Sequence, residues 1–367
     1  MPAPEMNALV RVNGSRRIGA GHVMRCLVLA ERLSARGVGV TFVADDFGDR
    51  VTDVIRERGY ALRLFPASGT GEPWLGSDLP TEIRAMRELI EGLAHPLDWL
   101  IVDNYGIDAR WERALRPYAR KIMVIDDLAD RPHDCDVLLD QNECDDLEHR
   151  YVRLVAPSTV RFLGASYALL RREFIEAGRS LRIRDGRVRR ILIAFGATDP
   201  TGETKKALRA LRLAGLRDVA VDVVVGRWAV QAVDDERVEL DCPVRFHHDV
   251  GSLAPLMVAA DLAIGAGGTA TWERAYLGLP TIALAVAENQ SEIVRTLARR
   301  GIVWTPGSAD RTDEMQLARL IRKALDDPPA LAAMAARGRA LFADYATRSE
   351  ELIETLAGAG EHRYAAR

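Results

Sequence analysis

A chain of 367 residues, 48% hydrophobic and 28% charged, has room for two globular domains of roughly 150–180 residues each. It is long enough to build its cores without disulfides or metals. The 50 Lys+Arg against 53 Asp+Glu leave a net charge of −3. That balance excludes nucleic-acid or anionic-membrane binding spread over the whole surface, and leaves only a local pocket for one anion. The four cysteines, Cys26, Cys135, Cys144 and Cys242, form no CxxC pair and no zinc spacing, so free thiols in a reducing cytosol are expected. Residues 1–7 lack the basic-then-apolar pattern of an export signal. The longest charge-free apolar stretch, 276–287, is broken by Pro280 and too short to cross a bilayer. A cytoplasmic protein with neither membrane nor nucleic acid as partner is the expectation.

Along the chain, short β-branched runs alternate with longer amphipathic stretches, the signature of parallel sheets flanked by helices. In the first half, strands are predicted over 8–12, 38–44, 61–65, 99–103, 121–125 and 137–139. Helices are predicted over 22–36, 49–58, 80–93 and 108–119, and Gly37 supplies a stop for the first of them. The charged segment 183–190, with its Asp-Gly turn, reads as a linker and sets domains at 1–182 and 183–367. A second series of strands follows over 190–195, 219–225, 244–246, 262–266 and 281–286, then helices over 317–325 and 329–345. The fold class is therefore α/β: two doubly wound, Rossmann-like domains facing across a cleft. Ligands are expected at the carboxyl ends of the strands.

After the first strand comes Asn13-Gly-Ser-Arg-Arg-Ile-Gly19-Ala-Gly21-His22, then a helix. Gly19 and Gly21 let the backbone turn sharply and approach a ligand, and the helix start offers free N–H groups. Asp45 and Asp46 end the next strand, where a ribose-binding acid would sit in a dinucleotide fold. However, Met24 stands where the third small residue should be, which argues against NAD. No cofactor is expected. His22 lies in the first helical turn, where the dipole disfavours the imidazolium, and the neutral base suits proton abstraction from water or a hydroxyl. A histidine that merely caps the helix is the other reading, and Arg25 is either an anion ligand or a surface arginine.

Later strands end in polar clusters: Asp103, Asn104 and Tyr105 after one, Asp126 and Asp127 after the next. Asp103, Tyr105 and Asp127 serve either loop architecture or substrate contact. Asp134-Cys-Asp136 looks like a D-x-D metal site but leads into a strand instead of leaving one, so solvated acids are expected there and no metal.

In the second half, Phe195-Gly196-Ala-Thr198-Asp199 does not fit the P-loop, because Gly202 comes one place late and Glu203 takes the lysine position. A strand, a glycine turn and a helix remain, a generic anion cradle. The richest stretch is Gly265-Ala-Gly267-Gly268-Thr269-Ala-Thr-Trp272-Glu273, with Asn289-Gln290 further on. Its helix start would stabilise a diphosphate, and Glu273 could accept two hydrogen bonds from ribose hydroxyls. A capping Thr269 and a surface Glu273 are the structural alternatives. Gly196, Thr198, Asp199 and, on the strand 244–246, Phe246 are grouped with this nucleotide site.

These residues resemble a known family. Arg11-x-Asn13-x-Ser15-x-x-Ile18-Gly19-x-Gly21-His22-x-x-Arg25-Cys26-Leu27 looks like the opening of the UDP-2,4-diacetamido-2,4,6-trideoxy-β-L-altropyranose hydrolases of pseudaminic acid biosynthesis. Asp103-x-Tyr105, Val124-Ile125-Asp126-Asp127-Leu128-Ala129-x-Arg131, Cys135-Asp136 and Leu139-x-Gln141-Asn142 continue the likeness. Tyr167-x-Leu169-Leu170-Arg171-x-Glu173-Phe174, Phe195-Gly196-x-x-Asp199-Pro200, Gly268-Thr269-x-x-Trp272-Glu273 and Asn289-Gln290 complete it in order. The resemblance implies a glycosyltransferase B-like fold, with UDP on the second domain and the sugar facing the first. It implies that His22 activates water at the anomeric carbon without a metal, with Tyr105 and Asn289 beside the sugar and Asn13 beside His22. Three positions depart from the family pattern: Asn13 for its usual aspartate, Asn104 for a frequent histidine, and Gly202 for a frequent asparagine. A glycosyltransferase with an acceptor hydroxyl, and a non-catalytic nucleotide-sugar binding protein, are the rival readings. Released nucleotide in the absence of an acceptor separates the first from a hydrolase, and stoichiometric binding without turnover marks the second.

Overall fold

The computed structural model describes residues 6–358 except 68–73, 200, 230–239 and 249, so Pro200 of the Asp-Pro motif lies outside the described residues. The first sheet contains β1 (Met6–Val12), β2 (Val38–Asp46), β3 (Ala61–Pro66), β4 (Leu97–Asp103), β5 (Ala119–Ile125), β6 (Val137–Asp140) and β7 (Val160–Leu163). Their spatial order is β3-β2-β1-β4-β5-β6-β7, and every pairing is parallel. Strand β1 is buried along Ala8–Val12 because a central parallel strand is covered on both faces, which is why it reads as a near-continuous apolar run. Strand order reverses direction between β1 and β4, where Val12 pairs with Asp103. That switch point is where an open α/β sheet leaves a crevice for a ligand.

The second sheet contains β8 (Arg190–Ala194), β9 (Ala220–Val225), β10 (Val244–His248), β11 (Leu262–Ala266), β12 (Thr281–Ala285) and β13 (Trp304–Ser308). It repeats the pattern in the order β10-β9-β8-β11-β12-β13, again all parallel. Two-residue periodicity sorts its core. Ile191 and Ile193 of β8 join Val221, Val223, Leu262 and Ile264 on one face, while Leu192 and Ala194 join Val224 and Ala263 on the other.

The expected strands are present, and two more close the sheets. Strand β7 is only four residues long, too short for a period to show. Strand β13 contains Pro306 and Gly307, which an edge strand tolerates, and its register against β12 shifts there. The predicted helix 329–345 ends at Ala340, and a further helix, Tyr345–Leu356, follows it.

The chain divides into units differently from the split expected at 182/183. One unit holds residues to Asn142, Asp146–Leu169 and the chain from Asp344 onward; the other holds 143–145 and 170–343. Helix Tyr345–Leu356 therefore belongs with the first sheet, where the Ser349 carbonyl accepts from Arg32 Nη2 at 2.8 Å and Leu352, Ile353 and Leu356 are buried. Segment 183–190 is charged for a different reason from a linker's. Arg184 is 8% exposed, and its guanidinium donates to the carbonyls of Met257 (2.8 Å), Ala260 (3.0 Å), Leu277 (2.6 Å) and Gly278 (3.0 Å). Those carbonyls end the helices Ala254–Ala259 and Ala270–Tyr276, so one cation satisfies two helix C-termini. Burial pulls this guanidinium down to about 10, which leaves it charged at neutral pH. Arg184→Met is expected to destabilise the second unit by at least about 1.5–3 kcal/mol, the scale of hydrogen bonds to a charged group. Arg184→Lys should recover little, because an ammonium cannot reach both helix ends. Urea unfolding followed by a probe in the second sheet measures both.

Candidate active site

The loop after β1 closes through Gly19, whose N–H donates to the Ser15 carbonyl at 2.7 Å with φ at +87°, a region strained for a side chain. Gly21 then opens the helix Gly21–Ser34, which has no side-chain cap and no acid in its first turn. His22 and Arg25, one turn apart, both point to Asp103 at the end of β4. Arg25 holds Asp103 with a fork, Nε to Oδ2 at 2.6 Å and Nη2 to Oδ1 at 2.7 Å. His22 Nδ1 lies 2.7 Å from the same Oδ1, and Cys26 Sγ donates to Oδ2 at 3.3 Å. Arg25 Nη1 reaches Asp127 after β5 at 2.8 Å, and the Tyr105 hydroxyl donates to the other Asp127 oxygen.

Burial alone would raise both carboxylates, but Arg25 and His22 hold Asp103 well below the usual range, and Arg25, His22 and the Tyr105 hydroxyl hold Asp127 low. Burial alone would likewise lower Arg25, and its two carboxylates instead raise it. An ionised Asp103 only accepts, so His22 Nδ1 carries the proton toward it, and the 3.1 Å approach of Arg25 Nη2 to Nδ1 is two donors converging on one oxygen. The lone pair then sits on Nε2, which hydrogen-bonds to none of the described residues. The rings of Tyr105 and Trp74 stand edge-on to the imidazole, with centroids 4.8 Å and 5.3 Å away.

Asn13 is placed differently from the expectation. It makes no hydrogen bond to His22; the carboxylate on the imidazole is Asp103. The Asn13 amide instead donates to Asp45 (2.6 Å) and to the Trp74 carbonyl (2.8 Å), and accepts from Arg11 and the Asp45 N–H, both at 2.8 Å. Asp45, considered above as a ribose acid, is 2% exposed and filled by Arg11, Asn13 and the Gly76 N–H. The Tyr151 hydroxyl, with one proton to give, lies 3.0 Å from carboxylate oxygens of both Asp126 and Asp140, and burial followed by the charge of Asp127 pushes Asp140 up to about 8 against the pull of Arg150, 3.0 Å away.

In the second unit, Gly196 (φ +90°) follows β8, and the Ala197 carbonyl accepts from the Trp228 N–H at 2.9 Å. Asp199 is not open to a ligand anion. Its carboxylate caps helix Glu203–Ala214 by accepting from the N–H groups of Glu203 (2.9 Å) and Thr204 (3.0 Å), while Thr198 beside it is buried. Gly202 takes φ +72°, a region that glycine and asparagine both tolerate, so its departure from the family pattern keeps the turn. After β11, a Cβ on Gly267 would lie 2.1 Å from Val294 Cγ2, and one on Gly268 would lie 3.3 Å from Gln290 Nε2. Gly267 is thus demanded by packing, and Gly268 keeps the approach to Gln290 clear. Helix Ala270–Tyr276 begins after Thr269 without a side-chain cap. Glu273 is buried in a two-pronged pair with Arg171, at 2.8 and 3.0 Å, so its oxygens meet a cation where ribose hydroxyls were expected. Asn289 and Gln290 form the short turn after β12, and the Gln290 carbonyl oxygen accepts from the Val286 N–H. Phe246 lies 40% exposed on the edge strand β10. Trp74 and Arg171 were not among the expected site residues. Arg171 stood in a motif with no role attached, and Trp74 had no periodic signal because it follows a Gly/Pro-rich stretch.

The architecture of two parallel-sheet α/β units is the glycosyltransferase B fold. The chain superposes on MurG of Acinetobacter baumannii with a TM-score of 0.63 at 14% identity, covering 95% of this chain and 99% of that one. It superposes on UGT89C1 of Arabidopsis thaliana, solved with UDP, with a TM-score of 0.65 at 14% identity, covering 96% and 100%. No family model matches. In sequence it is 26% identical over 295 residues to an uncharacterized protein of Methanocaldococcus jannaschii, covering 78% of this chain and 57% of that protein. It is 23% identical over 339 residues to the spore coat polysaccharide biosynthesis protein SpsG of Bacillus subtilis, covering 92% and 94%. It is 30% identical over 179 residues to the UDP-2,4-diacetamido-2,4,6-trideoxy-β-L-altropyranose hydrolase of Campylobacter jejuni, covering 48% and 56%. The chain thus spans little more than half the length of two of these three relatives.

Asp140 gives the site region a pH signature. Folded, it keeps its proton to about pH 8; unfolded, it loses it near the ordinary value of about 3.9. Between those values the folded state binds more protons, so this group makes stability fall as pH rises, and the fall ends above the folded value. Asp140→Asn mimics the protonated acid and removes that slope. The urea midpoint of the variant relative to the parent is expected to improve steadily from pH 5 to pH 8, and an offset independent of pH would contradict the assignment.

Proposed function

We propose that this protein hydrolyses a nucleotide-activated sugar. The observation that carries the reading is the His22–Asp103 pair at the switch point of the first sheet, with Nδ1 engaged and Nε2 unengaged. In this reading Nε2 takes a proton from water as its oxygen attacks the anomeric carbon. The bond from that carbon to the diphosphate oxygen breaks, and the nucleoside diphosphate leaves with the electron pair. Asp103 stabilises the imidazolium that forms, and Arg25 keeps Asp103 ionised and fixed. Tyr105 contributes its ring, because its hydroxyl proton is committed to Asp127. On the second unit we assign the diphosphate to Gly267, Gly268 and Thr269, with Asn289, Gln290 and Gly196 beside it. A diphosphate fits the glycine turn before Ala270–Tyr276, where Thr269 gives no side-chain cap and the Thr271 and Trp272 N–H groups donate to the Gly268 and Thr269 carbonyls. The partial likeness to the hydrolase of Campylobacter jejuni supports UDP and a diacetamido-trideoxyhexose as the substrate.

Transfer to an acceptor hydroxyl is the second reading, supported by the fold shared with named glycosyltransferases. In that case His22 would deprotonate the acceptor in place of water. Incubation with UDP-, CDP- and GDP-sugars, with and without candidate acceptors, separates the two: nucleotide and free sugar released without an acceptor mean hydrolysis. His22→Ala is expected to lower turnover by about two to four orders of magnitude, the range for removing a general base. The affinity for free UDP, measured by calorimetry, should stay within about threefold, since the nucleotide is assigned to other elements. Turnover close to the parent's would remove His22 from the role.

A further inference from the structure

We infer that Trp74 is a substrate-contacting wall of the His22 site, and that Asn13 and Asn104 are positioning residues that hold it in place. The nature of the ligand rests on the nucleotide-sugar reading above; the clamp itself does not. Trp74, His22 and Tyr105 form a closed set of edge-on rings, with Trp74 and Tyr105 centroids 4.5 Å apart. Trp74 is partly exposed, whereas the following Leu75, Gly76 and Ser77 are buried, so the segment is anchored immediately after it.

The anchoring is specific. The Trp74 carbonyl accepts from Asn13 Nδ2 at 2.8 Å and from Asn104 Nδ2 at 3.1 Å, and the Gly76 N–H donates to Asp45 at 2.7 Å. Asn104 is itself fixed by accepting from the Gly106 N–H at 2.9 Å. A Cβ on Gly106 would come within 2.9 Å of Leu75 and 3.2 Å of the Trp74 Cβ, so this glycine admits the segment. Behind the clamp, Arg11 is fully buried and joins Glu82, Asp45 and Asn13. Burying that much charge is costly unless every group is paired. The network makes no hydrogen bond to His22 or Asp103; it reaches the site through the Trp74 carbonyl. Asn13 is also chemically determined. Its amide uses both donors and both acceptor sites, and a carboxylate there would have no proton for either Asp45 or the Trp74 carbonyl. An aromatic face fixed beside a base is a surface on which the C–H face of a pyranose packs.

Two measurements separate the clamp from the wall. The first follows the His22 Hε1 resonance by NMR, which the neighbouring rings shift. Asn13→Asp and Asn104→Ala are both expected to move it toward its position in Trp74→Ala, while Trp74→Phe keeps most of the parent shift. A folded Asn104→Ala protein with an unmoved resonance would overturn the clamp, and this variant serves if Asn13→Asp does not fold. The second compares ligands by calorimetry. With His22→Ala as the shared background, so that the ligand is not consumed, Trp74→Ala should weaken the UDP-activated diacetamido-trideoxyhexose by roughly tenfold and leave free UDP unchanged, with Trp74→Phe intermediate. Equal affinity for the nucleotide sugar with and without Trp74→Ala in that background would overturn the wall. If the background binds no nucleotide sugar at all, both the wall and the functional reading fall, and the resonance still decides the clamp.

Discussion

The first sheet is organised around one buried carboxylate. Asp103 ends β4 beside the end of β1, and four side-chain contacts converge on its two oxygens: two from Arg25, one from His22 and one from Cys26. A buried ion pair of this kind adds little to net stability, since desolvating both charges offsets most of their attraction; removing one partner costs about 3–5 kcal/mol because the other is left uncompensated. Its consequence is geometric. The guanidinium fork fixes Asp103, Asp103 fixes the imidazole tautomer, and the uncapped helix start fixes where the imidazole stands. Arg25 also ties in Asp127 from the neighbouring strand, which in turn orients Tyr105. Residues from two strand ends and one helix start are therefore set by one arginine.

The second sheet has the same topology and spends its polar groups differently. At the end of β8 the first two N–H groups of the helix are already satisfied by Asp199. At the end of β11 the helix start is uncapped, and the two glycines before it are small because Val294 and Gln290 pack against them. Two turns with similar sequence character thus differ in how their helix starts are satisfied, by a carboxylate in one and by turn carbonyls in the other. The difference lies in a single aspartate four residues ahead of a helix.

What the sequence made legible follows the same physics. Strand ends are readable because apolar runs stop at polar residues, and parallel topology brings those ends together; Asp103, Tyr105 and Asp127 are legible that way, and His22 and Arg25 by the glycine turn before their helix. Side chains that work across long sequence separations left no local trace. Arg184 reads as one charge among many in a charged segment, although it closes two helices more than 70 residues away. Glu273 reads as a ribose ligand by its spacing after the glycines, and only the fold shows Arg171 already on it. The helix Tyr345–Leu356 follows directly on helical sequence, so no punctuation marks its change of unit.

Asn13 and Asn104 illustrate the limit most sharply. In sequence they are two separate departures from a family pattern, 91 residues apart, and each looks like the loss of an ionisable group from a catalytic loop. In the structure both amides donate to one carbonyl, that of Trp74. A carbonyl oxygen has two lone pairs, and here two side-chain N–H groups fill them. Neither aspartate nor a histidine donating elsewhere would complete that arrangement, and Asp45, already accepting from Arg11, needs a donor from residue 13 and not a second negative charge. The two asparagines are thus one feature. The carboxylate on the His22 imidazole is that of Asp103, so an amide at residue 13 does not deprive His22 of a carboxylate partner.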